Sequence, residues 1–150
     1  MSEQPNMDFP TRRDEEIDFP KEYWGEFIDT KYYPNGLPNS QFRNPTVEII
    51  TRADKPTFKK NQKIFLPVPL NEENNPDTEY NIRTYTGAFI DRLRTLGWKP
   101  SIPCPNVMQV LLAMKGIKGH LVRQKVGDRT QTDKWIVDKL GTFEGTQTNI

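Results

Sequence analysis

The chain has 150 residues, enough for one domain of ordinary size with one core. Apolar residues make up only 34% against 27% charged, with nine Gly and thirteen Pro, a polar and turn-rich composition, yet three Trp, five Tyr and eight Phe are too many for a wholly disordered chain. The net charge is +1, no run approaches the ~20 apolar residues of a membrane span, and the opening MSEQPNMDFPTRRDEE lacks the apolar stretch of a secretory signal, so a soluble, single-domain protein of the cytoplasm (host cytoplasm if viral), without a membrane partner, is expected.

Residues 1–21 read as a flexible acidic arm. The segment holds Pro5, Pro10 and Pro20, the run Asp14-Glu15-Glu16, and two copies of Asp-Phe-Pro at Asp8–Pro10 and Asp18–Pro20. From Tyr23 to Tyr33 the aromatic and β-branched content predicts a first strand, closed by the turn cluster Pro34-Asn35-Gly36. Thr46–Thr51 reads as a second strand. Gln62–Val68 reads as a third, its prolines favouring an edge or a strand end. The period then changes: Ile82, Tyr85, Phe89, Leu93 and Leu96 mark one helical face, with Asp77 or Thr78 as cap and Gly97 as stop. Asn106 is placed to cap a short buried helix, Val107–Met114. Two further strands, Ile117–Val126 and Lys134–Phe143, flank the polar loop Gly127–Asp133. Gly116 and Gly119 are read as allowing a bend, or as letting a nucleic-acid backbone approach.

Three strands, a helix and two strands is the order of an OB-fold. The expected fold is therefore mainly β, a five-stranded OB-fold-like Greek-key barrel over 22–145 with the helix between strands three and four. An α+β sandwich with the same element order is the alternative. Residues 146–150 read as a tail.

The inventory of chemical groups is poor. One Cys (Cys104) and one His (His120) do not make a zinc site, a nucleophilic triad would have His120 as its only imidazole base, and neither GxxxxGK[ST] nor GxGxxG occurs. No catalytic residues, metal or cofactor are assigned, and a binding protein is expected rather than an enzyme.

Charge, by contrast, is segregated. The first 22 residues carry seven acids and three bases, while Arg92 to Gly127 holds seven bases and no acid; Arg52, Lys55, Lys59, Lys60 and Lys63 form a smaller cluster around Asp54. The stretch Gly116-Ile117-Lys118-Gly119-His120-Leu121-Val122-Arg123-Gln124-Lys125-Val126, followed after a loop by Lys134-Trp135-Ile136-Val137, resembles the "GxxGxxVxxKV" strand and aromatic-started last strand of small phage single-stranded-DNA-binding proteins with an OB-fold. Trp24–Asp29 is similar to their opening strand. The chain departs from the bacterial single-strand binders in carrying its acidic segment at the front; its last nine residues hold one acid.

That resemblance implies sequence-tolerant binding of single-stranded DNA, with RNA left open, in phage or viral replication or recombination. Such binding needs cations that follow phosphates and rings that stack on bases. The candidate cations are Lys59, Lys60, Lys63, Lys118, Arg123, Lys125 and, in the fourth loop, Arg129. The candidate rings are Tyr32, Tyr33, Phe42, Phe58 and Trp135. Neighbours on a strand face opposite ways, so only one of Tyr32 and Tyr33 can reach the groove. Each has a plainer reading: lysines as solvated edge protection, Trp135 as core, Arg129 as a hairpin tip. The acidic arm is a candidate contact for replication or recombination proteins, and self-association is compatible with the sequence. The rival function is a structural or adaptor module, such as a virion component, with the same fold and no affinity for nucleic acid.

Overall fold

The computed structural model describes residues 22–38, 43–54, 61–126 and 132–142. The arm at 1–21, the tail at 146–150, Phe42, Phe58, Lys59, Lys60 and Arg129 lie outside the described residues. Five strands and two helices follow in chain order: β1 (Glu22–Tyr33), β2 (Thr46–Ala53), β3 (Gln62–Pro67), α1 (Tyr85–Thr95), α2 (Val107–Leu112), β4 (Lys118–Val126) and β5 (Thr132–Leu140).

The strands form one antiparallel sheet in the order β3-β2-β1-β4-β5. The chain meanders through β1 to β3, crosses through both helices, and returns to lay β4 beside β1, a Greek-key order. The closure expected of a barrel is not found: β3 and β5 are the sheet's two edges, and no ladder joins them among the described residues. The chemistry of the seam explains why. Pro67 and Pro69 remove donors where β3 would have to pair. The first turn of α1 stands in the gap instead, with the Tyr85 hydroxyl donating to Trp135 O on β5 and Thr86 Oγ1 donating to Pro67 O on β3, each at 2.6 Å.

One face of the sheet holds the core. Phe27, Val47, Ile49, Leu66, Leu121 and Val137 point into it and meet Phe89 and Leu93 of α1 and Leu111 of α2, all essentially without exposure. At ~1.5–3 kcal/mol per large side chain, this burial dominates the stability. Tyr23 is also inside; its hydroxyl lies 2.5 Å from Thr51 Oγ1, and burial pushes its pKa up to about 12.

Helix α1 starts three residues later than the periodicity predicts. Thr84, not Asp77 or Thr78, is the cap, its side chain accepting from Gly87 N, and Ile82 sits in the preceding turn with its side chain largely in solvent. The cause is local: Asn81 Oδ1 accepts from Arg83 N, and Asn81 O accepts from both the backbone and the hydroxyl of Thr84, a turn that competes with the helix. The stop at Gly97 is as expected. Gly97, at φ +104°, donates to Arg94 O while Trp98 N donates to Leu93 O, a Schellman ending. Asn106 caps α2 by accepting from Gln109 N, and α2 ends at Leu112, two residues short of the expected Met114.

Two bulges shape the sheet. In β1 the register to β2 slips between Phe27 and Asp29; in β4–β5 it slips at His120/Leu121. Gly119 adjoins the second slip, and a Cβ there would stand 2.5 Å from Lys139 O, so β5 can approach only a glycine.

Candidate nucleic-acid interface

The bulge in β1 decides which tyrosine faces out. Before it the odd residues Tyr23, Gly25 and Phe27 face the core; after it the phase reverses, and Thr30 and Tyr32 stand opposite core residues Ile49 and Val47. Tyr32 therefore packs on the core, and Tyr33, opposite Thr46, lies on the outer face of the sheet.

On that outer face, the register aligns Lys31 of β1, Glu48 of β2 and Phe65 of β3 in one row, with Asp29 and Ile50 beside Lys63 in the next. Phe65 is 41% exposed, although its neighbours Ile64 and Leu66 are buried. Sequence reasoning missed Phe65 as a candidate ring. The signal was present: in Lys63-Ile64-Phe65-Leu66 strict alternation sends Ile64 and Leu66 inward and Phe65 outward. Tyr33 and Phe65 lie on strands separated by β2, ~10 Å apart across the sheet, which makes them two separate ring platforms.

Charges surround the rings. Lys31 Nζ lies 5.1 Å from the Tyr33 ring centroid. The carboxylate of Glu48, itself buried, accepts from the Tyr33 hydroxyl at 3.5 Å and pairs with Lys63 Nζ at 3.5 Å. Farther along, Arg52 pairs with Glu26 at 3.2 Å and Lys115 with Asp29 at 3.8 Å. Pairs this exposed are worth about 0–1 kcal/mol, so their cations are weakly held by these carboxylates. Beside the face, an open groove of about 310 Å³ runs into the seam between β3 and β5, lined by Leu37, Asn44, Phe65, Pro67, Tyr85 and Lys134. Lys134 Nζ stands 5.3 Å from the Tyr85 ring centroid and adds a cation that the sequence reading did not single out. Burial of Tyr85 raises its pKa, so this ring is a neutral wall.

The other sequence candidates do not gather into one groove. Lys118 is exposed on the outer face, opposite Glu26. Arg123, an odd number of residues away, lies on the other side of β4, opposite Trp135, with its guanidinium 5.5 Å from the indole centroid. Trp135 packs against the core and meets Tyr23 edge-on at 4.9 Å, which is the core reading of this residue. Lys125 lies on β4 opposite Asp133. The basic run of β4 is thus divided between two faces by the pleat.

His120 is buried on the outer side, its Nδ1 2.6 Å from Asp138 Oδ1 and its ring 4.9 Å from Trp24. The extra residue of the β5 bulge is what brings Asp138 to it. Among the described residues no three His, Cys, Asp or Glu side chains converge as metal ligands, and no helix is long and apolar enough to cross a membrane. No protein-family model and no curated protein sequence matches the chain.

Proposed function

We propose that this protein binds single-stranded DNA with little regard to sequence, through the outer face of β1-β2-β3, and, following its resemblance to small phage single-strand binders, that it acts in viral replication or recombination. The observation that carries the reading is the pair Tyr33 and Phe65, two rings on the solvent side of adjacent rows, ringed by Lys31, Lys63 and Lys134. Aromatic side chains give about 1–3 kcal/mol per stacked base and accept any base, while the lysines hold the phosphates. The Greek-key order, with β1 shared between β2 and β4 and the helices between β3 and β4, supports an OB-like assignment within this proposal, its seam filled by α1 in place of a β3–β5 ladder.

Glu48 sets the chemistry of the face. A carboxylate between the two rings repels phosphate, so the strand is expected to lay its bases on Tyr33 and Phe65 and carry its backbone past the lysines at the margins. Fluorescence anisotropy of labelled dT30 and of a matching duplex tests the proposal. Micromolar or tighter binding of dT30, with the duplex bound much less well, is the expected result. No binding at low salt, where basic groups are least screened, overturns it and leaves the adaptor reading, which stable assembly on a protein partner would then support.

A further inference from the structure

A second cavity lies away from the two rings. It measures about 330 Å³ and is formed where the connector after α1, the end of α2, the start of β4 and the end of β5 meet. Lys99, Lys115 and Lys118 all line it, Trp98 and Leu140 supply apolar wall, and no Asp or Glu is among the lining residues. Lys115 and Lys118 flank one turn, and the fold brings Lys99, from the connector after α1, to meet them. Gly116, at φ +100°, turns the chain between Lys115 and Lys118, and its N–H donates to Phe27 O at the β1 bulge. The same bulge presents Asp29 to Lys115 at 3.8 Å, so the cavity opens beside the outer face of β1. Along β1, Asp29 and Tyr33 are four residues apart, about 13 Å at the rise of a strand.

We propose that this cavity is a second anion site, and that its ligand is the phosphate backbone of the same single strand after it leaves Tyr33. The inference rests on the function proposed above and adds to it a direction of travel: from Phe65 and Tyr33, past Lys31, toward Lys115 and Lys118. Three lysines around one recess concentrate positive charge, offset at Lys115 only by the exposed pair with Asp29, and a polyanion neutralises that charge while releasing its own counterions. The 330 Å³ volume is at the small end of ligand sites, fitting a phosphate with its sugar more readily than a folded partner. Trp98, half-buried in the wall, offers an edge for the sugar or a base. The distance lies within the run of about 4–16 nucleotides that an OB domain covers.

The test compares the full chain with a Lys99→Ala/Lys115→Ala/Lys118→Ala variant on dT30 and on a dinucleotide, too short to reach from Tyr33 to the lysines. Each lost phosphate contact on a single strand lowers the salt slope, −dlogK/dlog[salt], by about 0.7. The expected result is a slope lower by about 2 for dT30, with the short strand bound as before. All three side chains are exposed, so an unchanged melting temperature is expected and separates lost contacts from lost fold. Failure of the unsubstituted protein to bind dT30 at all defeats the proposed function and this inference together. Binding of dT30 with an unchanged slope in the variant overturns this inference alone. Equal losses on long and short strands also overturn it, because the lysines would then act as a diffuse field. Loss of binding to a poly-glutamate peptide, with the DNA slope intact, would overturn it in favour of an acidic protein ligand.

Discussion

Phe65→Ala removes one ring platform at little cost to the fold. The side chain is 41% exposed on the outer face, and the inward anchors of β3, Ile64 and Leu66, are untouched. The stability cost is expected to stay within the ~1 kcal/mol span of strand propensity. By contrast, Leu66→Ala would open the core and cost about 2–5 kcal/mol. Affinity should behave in the opposite way. A stacked base contributes about 1–3 kcal/mol, and 1.4 kcal/mol is a factor of ten, so dT30 should bind about 5- to 150-fold more weakly. Anisotropy at one fixed low salt concentration measures this, with a thermal melt on the same sample. Phe65→Leu, which keeps an apolar side chain without a ring, should lose nearly as much, and Phe65→Trp should lose little. Wild-type affinity in Phe65→Ala, with the melt unchanged, would refute the assignment of this face.

The two tyrosines of β1 should part company: Tyr33→Ala is expected to weaken dT30 binding by a factor similar to Phe65→Ala, whereas Tyr32→Ala lowers the melting temperature and leaves per-molecule affinity intact, and the reverse pattern would show that the bulge does not set their faces. Glu48→Gln removes the carboxylate between the rings and releases Lys63 for phosphate, so dT30 affinity should rise and the salt slope should increase by about 0.7; weaker binding would contradict the role given to Glu48. Stability should fall at alkaline pH. Burial raises the Tyr23 pKa to about 12 and the Tyr85 pKa as well, while both titrate near 10 in the unfolded chain. The unfolded state therefore loses these protons first, and the stabilisation, complete below pH 10, declines between pH 10 and 12 by up to about 1.4 kcal/mol per pH unit per tyrosine. Denaturant midpoints at pH 8, 10 and 11 read this out; a flat profile that Tyr23→Phe leaves unaltered would contradict it.

The order of elements was legible because the signals are local. Alternation in Thr46–Thr51 and Gln62–Leu66, the 3.6-residue period ending at Gly97, and the Asn106 cap each reflect contacts within a few residues. The start of α1 was not legible, because Asn81 holds a competing turn that keeps Ile82 out of the helical face despite its perfect spacing. The face of Tyr33 was open for a different reason. It depends on one extra residue at Ile28, a bulge fixed by bonds from the distant Gly116–Ile117 segment to Phe27. That the sheet stays open between β3 and β5 among the described residues was likewise a tertiary matter, because Tyr85 and Thr86 of α1 bond to both edges. For the site, residue types were read more easily than their assembly. Counting bases in β4 grouped Lys118 with Arg123, but their odd separation puts them on opposite sides. Phe65 and Lys134 were passed over because neither stands in a charge run, although alternation alone turns Phe65 outward.

Ultraviolet photocrosslinking of the full chain to dT30, followed by mass-spectrometric mapping of the adducts, tests the central claim most directly. Adducts concentrated on the peptides that carry Tyr33 and Phe65, and diminished by excess unlabelled single strand but not by duplex, are the predicted result. Adducts confined to other surfaces, or none at saturating strand, would contradict the assignment of the outer β1-β2-β3 face.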